Sequence, residues 1–151
     1  MKFGEMKNVN LSTLLDDGCY LGKIIKITKE GASTNGKYCQ LQIDLFSENN
    51  KRVGAIFETI SESESEISIK KSYRLIRALG MSFKDDEEFT ISRFISKLNS
   101  VKDNMFKVDI TTQSQDNYRP RNIADINYGV FYLLNEDTTE TISDVKVEDV
   151  L

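Results

Sequence analysis

The chain has 151 residues, 39% of them hydrophobic, with 20 basic and 24 acidic side chains and a formal charge of −4. That length suits one domain with an appendage, and that apolar content can fill a core. Histidine is absent, which excludes Ser-His-Asp and Cys-His catalysis and any Cys/His zinc site.

Residues 1–17 read as a short lead-in, with Leu11, Leu14 and Leu15 suited to a helical turn capped by Asn10 or Ser12. A first strand is predicted over Cys19–Thr28. Gly22 inside it marks a bulge or a sharp bend of the kind a small barrel needs at its corners. Residues 29–37 read as a loop with Asn35-Gly36 as its turn signal. The second strand, Tyr38–Phe46, alternates cleanly: Cys39, Leu41, Ile43 and Leu45 face one way, and Tyr38, Gln40, Gln42 and Asp44 the other. Arg52–Ile60 follows as a third strand, with Val53, Ala55 and Phe57 on one side, taken as the core side. Cys19 and Cys39, both in alternating apolar segments, read as small buried core residues.

Ser61–Glu66 reads as a solvated loop whose Ser-x-x-Glu spacing can cap a helix. That helix is expected over about Ile67–Leu79, with Ile69, Tyr73, Ile76 and Leu79 as its apolar stripe and Gly80 as its stop. Lys70, Lys71, Arg74 and Arg77 lie away from the stripe, as a solvated face or a basic patch. A second helix, about Glu87–Leu98, turns Ile91, Phe94, Ile95 and Leu98 inward. Asp85–Glu88 suits its first turn, where acids favour the helix dipole. A strand over Met105–Gln113 carries Phe106, Val108 and Ile110 on one face. After a turn at Ser114–Tyr118, a last strand spans about Arg121–Asn127. Phe131, Tyr132 and Leu133 are placed to dock on the core.

The charge is uneven. Residues 135–151 hold six acids against the single base Lys146, so residues 1–134 carry 19 bases and 18 acids. A flexible acidic tail on a body able to form basic patches recurs in proteins that bind nucleic acid and recruit partners; a solubilising terminus has the same composition. No GxxxxGK loop and no GxGxxG element is present. No apolar run reaches the roughly 18 residues of a membrane span, and the N-terminal ten residues lack an apolar signal region. The expectation is therefore a cytoplasmic, non-enzymatic protein without cofactor, metal or membrane partner.

Three meander strands, a helical segment and two more strands make the connectivity of the OB-fold, a five-stranded, partly open barrel. A plain α+β sandwich has a similar element order. The expectation is a mainly β domain over residues 1–134, with the helices between strands three and four, followed by a disordered acidic tail over 135–151. OB-folds bind oligonucleotides on the face of strands two and three, where cations must track phosphates and flat rings must stack on bases. Tyr38, an aromatic on the polar side of its strand, is a candidate for stacking, with Lys37 and Gln40 beside it. Arg52 starts the third strand, and Phe57 lies further along it. Tyr118, Arg119 and Arg121 surround the sole proline, Pro120, and combine stacking with phosphate contact. Lys23, Lys26 and Lys107 extend the track.

Gly18-Cys19-Tyr20, the alternation of Tyr38–Leu45, the helix segment Arg74–Gly80 and Tyr118–Asn122 together resemble the small OB-fold single-stranded-DNA-binding proteins of bacteriophages. They are also similar to related, uncharacterised phage proteins of replication and recombination regions. The resemblance implies cooperative coating of single strands in the host cytoplasm during phage replication or recombination. It also implies that the acidic tail, through Asp144, Glu148, Asp149, Val150 and Leu151, recruits replication or recombination proteins or shields the groove. The bacterial version of such a tail ends in an aromatic residue, where this sequence has Asp149-Val150-Leu151. The rival reading is a protein-interaction adaptor, or an inhibitor of a host replication protein, that does not itself bind nucleic acid.

Overall fold

The computed structural model describes residues 2–3, 15–115, 118–124 and 131–132, with side chains through Thr112. The helical turn expected around Leu11 and Leu14 and the acidic segment 135–151 lie outside the described residues.

The fold is mainly β, an open antiparallel sheet with two helices. Its elements are β1 (Gly18–Ser33), β2 (Gly36–Phe46), β3 (Arg52–Ser61), α1 (Glu66–Leu79), α2 (Ile91–Val101), β4 (Phe106–Gln115), β5 (Tyr118–Ala124) and the short β6 (Phe131–Tyr132). The strand order is β3-β2-β1-β4-β5, with β6 also paired to β4. Among the described residues no ladder joins β3 to β5.

β1 is the strand on which the sheet turns. Its start, Gly18–Gly22, pairs with β4, and Leu21–Ser33 pairs with β2. Gly22 belongs to both ladders. A methyl group there would sit 2.9 Å from the Phe106 ring and 3.3 Å from Ile43. The glycine is thus required by close packing at the bend, and the bulges fall further on, where Ile25 and Thr28 are each extra to the register with β2. Residues 29–33, expected as loop, continue the strand. Lys29–Ser33 pair with Gly36–Gln40 and leave only Thr34-Asn35 as the turn. Gly36 takes φ +102°, a backbone that favours glycine.

The inner face of the sheet and the two helices enclose the core. Cys39, Leu41, Ile43 and Leu45 of β2 are fully buried, as the alternation predicts, and so are Phe106 and Val108, with Ile110 nearly so. Cys19 corrects the reading of both cysteines as core residues: it is exposed. Burial, then the charge of Glu30, pushes the Cys39 thiol up to about 11. In β3 the expected phase is reversed. Ile56, Glu58 and Ile60 point inward, and Phe57 is 48% exposed.

Glu58 is tolerated inside because Lys71 of α1 meets it at 2.6 Å. This pair turns α1 so that Ser72, Leu75, Ala78 and Leu79 face the core. Of the stripe expected to be buried, Leu79 faces the core and Ile76 packs partly against it, while Ile69 and Tyr73 turn outward, 53% and 66% exposed. Ser65 caps α1 through the Ser68 N–H, and Gly80 ends it at φ +73°. α2 starts later than expected, with Thr90 as its cap. Asp85–Glu88 therefore precede the helix rather than forming its first turn. Glu87 instead accepts from Lys97 at 2.8 Å. Ile91, Phe94 and Leu98 are buried as anticipated. Among the described residues no helix is long and apolar enough to cross a membrane.

β5 begins before its expected start. Gln115 pairs with Tyr118 and Gln113 with Arg121, so Arg119 and Pro120 oppose Ser114 as a bulge. A proline has no N–H for the ladder, and a bulge accommodates it.

Two substitutions test this packing in denaturant titrations. Gly22→Ala should destabilise the fold by about 1–3 kcal/mol, because the fully buried Phe106 ring must move. Lys71→Met should cost about 3–5 kcal/mol by removing the ammonium that faces the buried Glu58 carboxylate, and Glu58→Leu combined with Lys71→Met should recover much of that loss. A Lys71→Met loss that the double variant does not reduce would show that the ion pair is not what fixes α1 to β3.

Candidate nucleic-acid interface

The outer face of β1–β3 is set by pairing. Tyr38, Gln40, Gln42 and Asp44 project from β2 opposite to its core residues. Their β3 partners are Ser61, Thr59, Phe57 and Ala55. Their β1 partners are Gly31, Lys29, Lys26 and Lys23. One face therefore collects three lysines from β1, two glutamines from β2 and two aromatic rings, Tyr38 and Phe57. The rings are four residues apart along the ladder, roughly 14 Å of strand. The bulge at Thr28 places its hydroxyl beside Gln40, where it donates to Oε1 at 2.9 Å.

Tyr38 lies across Gly31, its cross-strand partner. A methyl at Gly31 would come within 2.5 Å of the Tyr38 hydroxyl oxygen, so the glycine makes room for the ring. The Lys29 ammonium sits 5.8 Å from the ring centroid, within cation–π range. Lys26 is exposed. Lys23 is 3.7 Å from Asp103 in an exposed pair, the kind that contributes little and is readily exchanged for another anion.

At one end of this face Arg52 donates to Asp44, from Nε at 2.9 Å and from a terminal nitrogen at 3.4 Å. Gln42 donates to the same carboxylate at 3.0 Å. Partial burial pushes the Asp44 carboxyl up, but the hydrogen bonds from Arg52 and Gln42 and the Arg52 charge outweigh it and hold the group below its ordinary range. The one acid on this face thus has its charge answered locally. The Arg52 side chain remains 54% exposed.

The other sequence candidates are placed differently. Lys37 is exposed but shares the ladder side of Cys39 rather than that of Tyr38. Its backbone is held by Glu62, whose Oε1 accepts from the Lys37 N–H at 3.1 Å. Lys107 pairs with Leu21 of β1 and alternates with the buried Phe106 and Val108, so it lies on the outer side, further round the sheet. Tyr118, Arg119 and Arg121 have their backbone in β5, and their side chains lie outside the described residues, as do Asp144, Glu148, Asp149, Val150 and Leu151. Sequence reading missed Lys29, assigned to a loop, and Gln42. The signal for Lys29 was the register of the first hairpin, with Gly31 set opposite Tyr38, and that for Gln42 the alternation of β2.

Glu62 ties this face to the helices. Its Oε2 accepts from the Ile91 N–H at the start of α2, at 2.9 Å. The bonds from Ile91 and then Lys37 hold its carboxyl below the ordinary range. Among the described residues no group of three or more Cys, Asp and Glu side chains could hold a metal ion. No family model matches the chain, and no curated protein matches it.

A depressed carboxyl contributes stability that is fully present above its ordinary pKa and is lost as pH falls through the lower, folded value. Glu62→Gln should therefore destabilise the protein at neutral pH and flatten its stability profile on the acid side, as read by urea midpoints across pH. An unchanged acid limb would show that the two backbone bonds do not persist in solution.

Proposed function

We propose that the protein binds single-stranded DNA without sequence specificity on the outer face of β1–β3, acting in phage DNA replication or recombination. The observation that carries the reading is the placement, on one sheet face, of the exposed Phe57, Lys26 and Lys29 with the half-buried Tyr38 and Lys23. Stacking on rings and neutralisation of phosphates are the two requirements of single-strand binding, and neither depends on base identity. Gln40 and Gln42 add donors and acceptors between them. Arg52 and Lys107 are further phosphate contacts, as are Lys37 at the start of β2 and, from the sequence, Tyr118, Arg119 and Arg121.

The architecture in this proposal is the OB-type barrel of residues 1–134. The strand order leaves β3 and β5 as the two edges to be joined, and their Cα atoms approach within 8 Å, which supports closure. The acidic segment 135–151 serves to recruit replication or recombination partners.

Fluorescence anisotropy with labelled oligo-dT and with duplex of the same length, over a salt series, tests the reading. The full chain should bind dT more tightly than duplex, with affinity falling as salt rises. Tyr38→Ala and Phe57→Ala should each weaken binding by about 1–3 kcal/mol. Lys26→Ala should lower the salt slope by about 0.7. No dT binding at low salt would overturn the proposal and leave the protein-interaction adaptor in its place.

A further inference from the structure

α1, the segment that joins it to α2, and Ser61 and Ser63 at the end of β3 border a cleft of about 540 Å³. Ile69, Tyr73, Ile76, Met81, Phe83 and Phe89 supply its apolar lining, and Arg77, Lys84, Asp85 and Glu87 its charged groups. Ile69 and Tyr73 are 53% and 66% exposed, large apolar surface left in water. Ser72 also lines the cleft; it is 6% exposed, and its buried hydroxyl has no hydrogen-bond partner among the described residues. A buried hydroxyl is costly to leave unpaired. An extended peptide laid in the cleft would cover the apolar residues and bring backbone groups to that hydroxyl.

We propose that the occupant is the chain's own C-terminal segment, residues 142–151, docked in cis. Three observations select it. β6 comes within 8 Å of α1 between Cα atoms, so the chain that follows Tyr132 sets out from this helix. The ten residues from Tyr132 to Ile142 can span roughly 33 Å, more than the roughly 21 Å length of α1. The segment also matches the cleft in kind. Ile142, Val145, Val147, Val150 and Leu151 are interspersed with Asp144, Glu148 and Asp149 and the single base Lys146, apolar groups for the lining and a net negative charge for Lys84. Of the acids on the rim, Glu87 is engaged by Lys97 at 2.8 Å, which leaves Asp85 as the opposing charge. A tethered segment reaches this site at high effective concentration, which favours it over a second copy or a separate peptide.

Docking here holds the recruiting acids at α1 and the Ser61 end of β3, beyond Lys26, Gln42 and Phe57. It decides between the two tail roles in favour of a sheltered recruitment element and against groove shielding, and it does not depend on DNA being bound.

Nitrogen-15 correlation spectra without DNA test it. Deleting residues 141–151, or introducing Val147→Asp with Val150→Asp in the full chain, should shift the amides of Ile69, Ser72, Tyr73, Ile76 and Phe83. Those of Lys26, Gln40 and Phe57 should not move, and the pattern should be the same at low and high protein concentration. Tyr73→Ser, at an exposed position that the fold does not need, should move the amides of 142–151 in the full chain. Unmoved cleft amides, shifts on the lysine face instead, shifts that grow with protein concentration, or a tail indifferent to Tyr73→Ser would each overturn the proposal.

Discussion

Glu58 and Lys71 meet at 2.6 Å with their side chains 5% and 17% exposed, and two features of the molecule's outside follow from that contact inside. Strands have a period of two, so the inward turn of Glu58 commits Ile56 and Ile60 to the core and Phe57 to the surface. Helices have a period of 3.6, so the inward turn of Lys71 and Ser72 commits Leu75 and Leu79 to the core and leaves Ile69 and Tyr73 outside. Had a small apolar residue replaced Glu58, β3 would gain a plain hydrophobic face, but α1 would lose the partner that sets its rotation. Ion pairs removed from water are seldom efficient sources of stability. Here the pair acts as a register mark, fixing the phase of one strand and one helix together.

Gly22 makes a second such constraint. A sheet in which β1 serves β4 at one end and β2 at the other must bend where the two ladders overlap, and the Phe106 ring fills the inside of that bend. The bulges at Ile25 and Thr28 then carry Lys26 and Lys29 to the same side as Lys23, although strict alternation from Lys23 would have turned Lys26 inward. The lysine track is thus a product of irregularities in β1.

Legibility in the sequence follows the same physics. β2 and β4 were read correctly in phase because their alternation is unbroken and ends in fully buried residues. The stop of α1 was legible because Gly80 acts through local backbone geometry, whereas its cap is Ser65, with Ser68 rather than a glutamate three residues on. β3 and the face of α1 were misread for one reason: the inner set of β3 contains Gly54 and Glu58, and the inner set of α1 contains Lys71 and Ser72. A polar residue is assigned to the surface unless its partner is known, and that partner lies on another element. The hairpin of β1 and β2 was read too short because Lys29–Ser33 has almost no apolar content. Those residues pair through backbone alone, opposite Tyr38 and Gln40. Within the site, the placement of Tyr38, Gln40 and Gln42 was legible from alternation, that of Lys29 only from register.

A net charge near zero over residues 1–134 therefore says little about what this surface can bind. Screening limits each exposed charge to a neighbourhood of about 8–10 Å at physiological salt, so a ligand on β1–β3 responds to the lysines near it and not to acids on the far side. Of the acids beside these lysines, Asp44 is already hydrogen-bonded to Arg52 and Gln42, and Asp103 lies 3.7 Å from Lys23. Glu62 and Glu87 are likewise spent on backbone N–H groups and on Lys97. Much of the negative charge of the folded part thus serves structural contacts, whereas the lysines of β1 project from a strand whose own fold does not need their charge. The segment 135–151 adds six further acids to these. The same screening means that its influence depends on where it is held.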